Sequence, residues 1–274
     1  MPLPLILKRE PLVVAAGIST LAKVTFERNP FPALLKEPAQ FWDEVFIANE
    51  AYMLAEITHP RIRQKLAYEA ATHQLFLNYI EGATLYELVQ AGVTRREPRR
   101  THQLLQSIAE TLADLHAGFL CGRPIVHNDV KSLNVLVPTA ASSETVLIDF
   151  SHSYFEGRLP PFITDKKQTP VGTAKYVSPE KWLGDHTHGF KSDVFAFGVL
   201  AYFVYTGQYP FAGDGAELEE QIREVAPLSP IQLGVEIPRN HLSLVMACLG
   251  KKPQQRPTME YVARSYAESA SLFD

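Results

Sequence analysis

The sequence is poor in cysteine and has no long apolar run. Its 274 residues include only two cysteines, which argues against a disulfide framework and favours a reducing compartment. The longest apolar run, residues 195–205, is well short of the roughly 20 residues that cross a bilayer. The first eight residues have no leading positive region, and prolines interrupt them, so they make a poor signal peptide. These features predict an intracellular, cytoplasmic protein with no membrane partner.

Charge of one sign is not in large excess either. The formal net charge is -4, and the one basic cluster, residues 95–100, is interrupted by Glu97 and Pro98. We interpret that cluster as a solvated connection and expect no nucleic-acid partner. The hydrophobic fraction of 46% supplies a sizeable core. The length fits one large two-lobed domain as well as two separate domains.

The most informative stretch is IVHNDVKSLNVLV, residues 125–137. Apolar residues at both ends of a polar segment are typical of a tight loop that leads into a short buried strand. The loop contains Asp129, Lys131 and Asn134. A carboxylate, an ammonium and a carboxamide placed together can orient a hydroxyl group, offset phosphate charge and bind a hard cation. The alternative is a solvated loop in which the Asp and Asn cap turns.

Three other residues have chemistry that this loop could use. Asp149 ends the apolar run at residues 146–148, and a carboxylate held rigidly at a strand terminus suits a metal ligand. It could also belong to an ordinary turn. Lys36 ends another apolar run, and Glu50 follows fourteen positions later on a predicted helix. A lysine at a strand end is often an edge residue, so these residues alone leave the pairing of Lys36 with Glu50 open.

Apolar spacing predicts the elements of the first third of the chain. Short β-forming runs at residues 12–14 and 21–26 flank small residues and indicate a hairpin. Prolines indicate a loop at residues 29–32. Residues 39–57 have helical spacing. The predicted apolar stripe of that helix is Phe41, Val45, Ala48, Tyr52 and Ala55, widened by Trp42, Phe46, Met53 and Leu54.

The rest of the chain is predicted to be mainly helical. Two strands, at residues 62–71 and 74–80, precede a short helix at residues 85–90 that Thr84 can cap. Residues 151–176 are polar and contain several prolines, which predicts a mobile surface excursion. Longer helices are expected at residues 101–116, 191–205, 217–224, 242–249 and 259–266.

In this order, the residues resemble a eukaryotic-type protein kinase domain over essentially the whole chain. The similarity includes Ala33-Leu34-Leu35-Lys36, Glu50 with His59-Pro60, the His127-to-Asn134 loop, Asp149-Phe150-Ser151 and Gly172-to-Glu180. Residues 17–24 are similar to the glycine-rich phosphate loop. Asp193 and Arg256 match the family's buried aspartate and the arginine that pairs with Glu180. Lys131 and Thr173 resemble those of the serine/threonine-specific branch.

The resemblance implies an α+β, two-lobed protein kinase-like fold. Residues 1–81 would form a small β-rich N-lobe with one main helix. Residues 82–274 would form a larger α-helical C-lobe that carries the catalytic loop, the activation segment and the substrate-docking region.

The resemblance also implies ATP and Mg²⁺ as cofactors and a protein substrate with a serine or threonine acceptor. The implied catalytic residues are Lys36, Glu50, Asp129 and Lys131. The implied metal ligands are Asn134 and Asp149. The implied nucleotide-binding residues are Gly17, Ser19, Ala22, Val24, Lys36, Leu77, Tyr79 and Leu136.

The sequence departs from the family pattern in four places. The phosphate loop keeps only its first glycine, Gly17, and Leu34 replaces the usual small residue against the adenine. Asn128 replaces the arginine of the catalytic loop, and Ser151 replaces a glycine. None of these changes removes a group needed for phosphoryl transfer. The resemblance therefore favours a working enzyme over the alternatives, a pseudokinase that acts as an allosteric or scaffolding module and a small-molecule phosphotransferase.

The change at Asn128 has a consequence for regulation. An amide cannot form the charge-assisted pair that an arginine makes with a phosphate group. We therefore expect activity to depend little on phosphorylation between Ser151 and Thr173, for example at Thr164 or Thr169.

Overall fold

A five-stranded antiparallel sheet and one long helix form the first lobe. The computed structural model of the chain describes residues 5–12, 19–27, 29–139, 143–158 and 172–270. The strands of the sheet are β1 (Ile6–Leu12), β2 (Ser19–Phe26), β3 (Asn29–Pro38), β4 (Lys65–Glu69) and β5 (Gln74–Asn78). Their spatial order is β1-β2-β3-β5-β4. The two strands on either side of the predicted turn, β1 and β2, pair with each other, and residues 13–18 of that prediction lie outside the described residues.

The register of this sheet decides which side chains face the rest of the protein. Directly opposed residues of an antiparallel pair share a face. Lys36 of β3 is opposite Leu21 of β2, and Leu34 is opposite both Lys23 of β2 and Leu77 of β5. This face joins the main hydrophobic core. The other face has a separate small core formed by Ala22, Val24, Phe26, Ala33, Leu35 and Phe76.

Strand β3 begins earlier than the sequence predicts. Residues 29–32 were expected to form a loop because they contain two prolines, and that prediction is wrong. At this end β3 pairs with β2, whereas its pairing with β5 begins only at Ala33. Proline is tolerated in a strand that lacks a partner on one side, because no ladder hydrogen bond is lost there.

Helix α1 (Glu44–Glu56) buries a different face from the predicted one. Ile47, Glu50, Ala51 and Leu54 are buried, which is the spacing of one helical face. The centre of the predicted stripe is wrong because polar Glu50 belongs to the buried face, where it makes hydrogen bonds that an apolar pattern does not count. Met53 and Leu54, which widened the predicted stripe, are buried as expected. The predicted stripe residues that are instead exposed are Phe41, Val45, Tyr52 and Ala55.

Helices make up most of the second lobe. They are α2 (Leu85–Gln90), α3 (Val93–Arg96), α4 (Pro98–Ala117), α5 (Pro179–Trp182), α6 (Gly189–Thr206), α7 (Gly215–Glu224), α8 (Arg239–Cys248) and α9 (Met259–Glu268). Residues 194–204 of α6 are all buried, as their nearly apolar sequence predicts. Around α6 pack α4, α8 and α9, whose buried residues belong to the same core.

Helix ends follow the chemistry of their terminal residues. Thr84 caps α2 as predicted, and its Oγ1 accepts a hydrogen bond from the backbone N–H of Glu87 at 3.2 Å. Gly118 ends α4 with a φ of 74°, a left-handed conformation that glycine adopts at low cost. The connection predicted at residues 95–100 is exposed over residues 95–99, as expected. It is shorter than predicted, because Glu97 alone separates α3 from α4 and Pro98 starts α4 at a position that needs no N–H donor.

Two small sheets hold the segments next to the polar loop. They are built from β6 (Gly82–Thr84), β7 (Ile125–Val126), β8 (Val135–Pro138), β9 (Val146–Leu147) and β10 (Tyr154–Phe155). Strands β6, β8 and β9 form one sheet, and β7 pairs with β10. Residues 151–155 are therefore buried, so the predicted surface excursion is wrong for that part. Residues 159–171 of the same prediction lie outside the described residues.

The predicted two-lobed α+β architecture is confirmed. The five-stranded sheet and α1 precede Gly82, and the helical region follows it. No helix in the described part of the chain has the combination of length and apolar character needed to span a membrane.

Candidate active site

A buried ionic cluster lies against the Lys36 face of the sheet. The Nζ atom of Lys36 is 2.6 Å from Oε2 of Glu50 on α1 and 3.0 Å from Oδ1 of Asp149 after β9. We call these three residues the cleft cluster. The Glu50 side chain is 1% exposed and that of Asp149 is 29% exposed. Asp149 is therefore the member of the cluster that a ligand can reach most easily.

Lys36 and Asp149 stabilise each other's charged forms, whereas burial and the neighbouring Asp149 raise the pKa of Glu50. Burial alone would lower the pKa of Lys36, but the carboxylates of Asp149 and Glu50 outweigh it and raise that pKa above its ordinary value. Burial would likewise raise the pKa of Asp149, but the Lys36 ammonium and a hydrogen bond from Ser151 hold it well below its usual range. Lys36 and Asp149 are therefore both charged at neutral pH.

Asp129 lies at the centre of the loop between β7 and β8. Its Oδ2 atom is 2.7 Å from Nζ of Lys131 and accepts a hydrogen bond from Nδ2 of Asn134 at 2.9 Å. Its Oδ1 accepts from the backbone N–H and the hydroxyl of Thr173, both at 3.3 Å. Burial would raise the pKa of Asp129, but the Lys131 ammonium outweighs it and lowers that pKa. An ionised Asp129 can accept a hydrogen bond from an incoming hydroxyl group.

The backbone of this loop is fixed from below by α6. Asp193 accepts hydrogen bonds from the backbone N–H groups of His127 at 2.8 Å and Asn128 at 2.9 Å. His127 is buried, and its ring centroid lies 4.8 Å from that of Phe150. The His127 ring therefore packs against Phe150. Asp193 and His127 thus hold the loop that positions Asp129.

The segment after β9 is attached to α1. The backbone N–H of Phe150 donates to Oε1 of Glu50 at 3.3 Å. The Nδ2 atom of Asn49 donates to the carbonyl oxygens of Ser151 and Ser153, each at 2.9 Å. Asp149 itself has a φ of 64°, a conformation that costs energy for a residue other than glycine. These contacts keep Asp149 oriented towards Lys36.

Asn49 belongs to this site, although it was not predicted from the sequence. The side chain of an asparagine inside a helix usually points to solvent. Nothing in the local sequence pattern shows which backbone carbonyls it will contact. The one available signal in the sequence is that Asn49 is adjacent to Glu50. The signal becomes useful only when the packing of α1 is known, because that packing shows that both residues lie on a buried face.

The predicted nucleotide-binding residues do not all share one face. Ser19 and Leu77 lie on the face of the sheet that has Lys36, as their register shows. Ala22 and Val24 lie on the opposite face, in the small core of the sheet, so their side chains do not face Lys36. A one-residue difference in register moves every side chain of a strand to the other face.

Leu21 and Lys23, rather than Ala22 and Val24, lie on the face of the sheet that has Lys36. The Nζ atom of Lys23 lies 4.4 Å from the ring centroid of Tyr79, which was predicted to meet the base. Leu136 of β8 is nearly buried. Gly17, the remaining predicted residue, lies outside the described residues.

A second buried ion pair lies away from the cleft. Arg256 donates from Nη1 and Nη2 to the two carboxylate oxygens of Glu180, at 2.8 and 2.7 Å. We call these two residues the closed pair. Ser192 also donates to Glu180, at 2.7 Å. The pairing matches the one that the resemblance implied, and it ties α5 to the segment before α9.

Comparison with known protein families identifies the family of this chain. A model of the protein kinase domain family matches residues 34–266, which is most of the chain. The chain belongs to the protein kinase domain family. The matched region contains the cleft cluster, the Asp129 loop and the closed pair.

Curated relatives point to one branch of this family. The chain is 31% identical over 216 residues to the serine/threonine-protein kinase pkn2 of Myxococcus xanthus, a match covering 76% of this chain and 25% of that protein. It is 30% identical over 217 residues to the serine/threonine-protein kinase PknB of Mycobacterium leprae, covering 76% of this chain and 33% of that kinase. It is 26% identical over 242 residues to the probable serine/threonine-protein kinase PknB of Lactococcus lactis, covering 84% and 36%. The chain therefore spans about a quarter to a third of the length of these relatives.

Proposed function

We propose that this chain is an ATP- and Mg²⁺-dependent protein kinase that transfers the γ-phosphate of ATP to serine or threonine hydroxyls of a protein substrate. The observation that carries the proposal is the position of Lys36, which lies within hydrogen-bond distance of both Glu50 and Asp149. One ammonium between a helix carboxylate and a partly exposed carboxylate is suited to bind phosphate beside a metal ion.

In this proposal each side chain has one task. Lys36, oriented by Glu50, binds the α- and β-phosphates. Asp129 orients the acceptor hydroxyl and takes its proton, while Lys131 stabilises the negative charge of the phosphoryl group. Thr173, which contacts both Asp129 and Lys131, keeps these two side chains together where the acceptor arrives.

The side chains near Asp129 fit a magnesium ion. Asp149 offers a carboxylate and Asn134 an amide oxygen, and hard oxygen atoms are the ligands that Mg²⁺ prefers. Nδ2 of Asn134 donates to Asp129, so its Oδ1 is the end available to a cation. No group of three His, Cys, Asp or Glu side chains in the described ranges is arranged to hold a metal by itself. In this proposal Mg²⁺ is therefore held together with the phosphates, whose charge it neutralises.

The finer details of the N-lobe also belong to this proposal. We assign the nucleotide to the sheet face of Lys36, with Ser19, Leu77, Tyr79 and Leu136 as contacts. We place the boundary between the lobes at residues 81 and 82, after the last strand of the five-stranded sheet. Asn128 takes the place of the family's usual arginine.

Both alternatives are less well supported than catalysis. A pseudokinase would not need Lys36, Glu50 and Asp149 to meet within 3.0 Å. A small-molecule phosphotransferase would share Asp129 and Asn134, but the relatives reported above are named as serine/threonine-protein kinases.

The test is a comparison of wild type with Lys36→Met. Thermal shift with ATP, with and without Mg²⁺, measures nucleotide binding, and labelled γ-phosphate transfer to a peptide array measures catalysis. We expect Mg²⁺-dependent stabilisation and transfer to Ser or Thr peptides by wild type. Transfer should fall by about a thousandfold in the variant, because one preorganised charge is lost from the reacting centre.

Two results would contradict the proposal. A wild type that is stabilised by ATP but transfers no phosphate would indicate the pseudokinase. Transfer to a small molecule without transfer to any peptide would indicate the small-molecule phosphotransferase.

A further inference from the structure

A buried lysine lies directly behind the Asp129 loop, and no local sequence pattern predicts it. Lys181 follows Glu180 on α5, and it is 5% exposed. Its Nζ atom donates a hydrogen bond to Oδ1 of Asn128. Burial lowers the pKa of Lys181, while the carboxylates of Asp193, Glu180 and Asp129 oppose that change. Burying an ammonium group costs free energy unless its surroundings compensate for it. The contacts of Lys181 therefore need an explanation that an exposed lysine would not need.

Asn128 connects this lysine to two other segments. Its backbone N–H donates to Asp193 at 2.9 Å, and its Nδ2 donates to the carbonyl oxygen of His152 at 3.0 Å. Both ends of the amide are therefore used, one by α5 and one by the segment that follows Asp149. The φ of Asn128 is 69°, a left-handed conformation in which asparagine is enriched but which still needs support.

The connection continues to Asp129, the next residue. A left-handed residue directly before Asp129 sets the direction in which the following carboxylate leaves the backbone. A cation on one end of an amide also strengthens the hydrogen bond that the other end donates. Lys181 thus acts on Asn128, and Asn128 holds both Asp129 and the segment containing His152.

The pocket that Lys181 lines together with Asn128, Asp129 and Thr173 is small, with about 10 Å³ of space, enough for about one water molecule. The ammonium of Lys181 contacts the loop itself, through Oδ1 of Asn128. This contact favours a role in positioning the loop.

We propose that Lys181 is a positioning residue for Asp129, and that it supplies from α5 the cation that the catalytic loop lacks at Asn128. This inference rests on the proposed kinase function for its catalytic consequence. A fixed internal ammonium keeps the loop and the segment at residues 151–153 together without a phosphate group on the activation segment. The protein then needs no modification to hold Asp129 in place.

The first experiment compares Lys181→Met with Lys181→Arg. In Lys181→Met, kcat should fall about tenfold to a hundredfold, as expected when a reacting group is displaced slightly. The KM for ATP should change less than twofold, because Lys36 and Asp149 do not contact Lys181. Lys181→Arg keeps the charge and should recover most of the lost kcat.

A matched control is available at a second lysine, which does not contact Asn128. Lys251 is also partly buried and donates to the backbone carbonyls of Gln221 and Ile222. Lys251→Met should lose stability without losing kcat. An equal loss of kcat in Lys251→Met and Lys181→Met would overturn the inference, since a general loss of packing would then explain both.

A double-mutant cycle tests whether Lys181 acts through Asn128. Asn128→Leu alone should reduce kcat about as much as Lys181→Met, and the double variant should be little worse than either. Additive losses would overturn the proposed connection, because they would mean that the two residues act independently.

Amide hydrogen exchange gives a readout that does not depend on catalysis. In Lys181→Met, exchange should rise at least about tenfold at residues 127–130 and 151–153 while α6 stays protected, and Lys251→Met should leave these segments unchanged. If wild type transfers no phosphate, the kinase proposal fails, yet this exchange pattern would still support the role of Lys181. Unchanged exchange at both segments, or a uniform increase over the whole lobe, would overturn it.

Discussion

The cleft cluster and the closed pair are both buried ionic groups, with shortest N–O distances of 2.6 and 2.7 Å. They differ in how many of their charged atoms already have a partner within the protein. Arg256 is completely buried, and its donors reach Glu180 and the backbone carbonyls of Gly250, Lys191 and Lys251. The cleft cluster has two carboxylates for one ammonium, and Asp149 is partly exposed.

The difference separates a structural role from a functional one. A fully satisfied pair has no capacity left for a ligand, and removing one partner leaves a buried charge without compensation. The cleft cluster keeps an excess negative charge and an accessible carboxylate, which a cation and a phosphate can use. Distance alone would not distinguish the two groups.

The largest expected effect is the loss of phosphoryl transfer in Asp149→Asn. Rates should fall by about a thousandfold, near 4 kcal/mol, because the charge that would hold Mg²⁺ is removed. The free energy of unfolding should fall by about 1–2 kcal/mol, because the charged form of Asp149 stabilises the fold but Lys36 keeps Glu50 as its second partner. Steady-state kinetics and urea denaturation measure the two quantities. A large loss of stability would erase the distinction between the cleft cluster and the closed pair.

Arg256→Met should show the opposite pattern. The free energy of unfolding should fall by about 3 kcal/mol, because Glu180 is left buried without its partner. The rate per folded molecule should stay near that of wild type. Arg264→Met, which changes an exposed arginine of α9, is the matched control and should shift stability by less than about 0.5 kcal/mol. A kinetic defect in folded Arg256→Met would place the closed pair in the catalytic machinery.

Asn49→Ala is expected to lower both the free energy of unfolding and the rate of phosphoryl transfer moderately. Two buried carbonyl oxygens, of Ser151 and Ser153, lose their donor, which should cost about 2 kcal/mol of stability. The rate should fall roughly tenfold because Asp149 is held less firmly. Asn240→Ala, which removes a donor to the Ser269 hydroxyl, should leave the rate unchanged. A tenfold loss there as well would show that the assay reports stability only.

A third buried cluster, around His241, should make stability depend on pH without changing the cleft cluster. His241 stacks on His102 at 5.0 Å, and its Nδ1 lies 3.1 Å from the Tyr205 hydroxyl. Burial lowers the pKa of His241 to about 4 from 6.5. The neutral form is therefore favoured in the fold, whereas the unfolded chain takes up a proton below about pH 6.5.

The stability contributed by neutral His241 should be present above pH 6.5 and lost as the pH falls towards 4. The expected loss is on the order of 1–2 kcal/mol. Urea denaturation between these pH values measures it, and His241→Gln should have a flatter profile. Equal slopes for wild type and variant would contradict this assignment.

The smallest effect is expected at the activation segment. Thr164→Ala and Thr169→Ala should each change the rate less than about twofold, because Lys181 already supplies the cation beside Asn128 and no phosphate-binding arginine stands in the loop. Initial rates of phosphatase-treated proteins measure this. A collapse of activity in either variant would mean that phosphorylation, rather than the internal lysine, holds the segment.

The sequence was sufficient where a feature depends on residues close together in the chain. The cap at Thr84, the buried helix α6 and the two-lobed architecture were all predicted correctly. So was the pairing of the closed pair, which the family resemblance implied. Each rests on a local pattern or on motifs whose order is fixed.

The sequence failed where long-range packing decides which face a residue takes. The buried face of α1 includes Glu50 because Lys36 lies above it, and Ala22 and Val24 turn away from Lys36 because of the β2–β3 register. Lys181 is the clearest case. Lysine is rarely buried, and nothing in its own segment shows that it meets Asn128.

The most direct test of the central claim is a single-turnover experiment with γ-labelled ATP, Mg²⁺ and a pool of Ser/Thr peptides, comparing wild type with Asp129→Asn. We predict label on the peptides with wild type, and a rate about a thousandfold lower with the variant at unchanged ATP affinity. Absence of label with wild type, or equal rates for the two proteins, would contradict the assignment of phosphoryl transfer to this cleft.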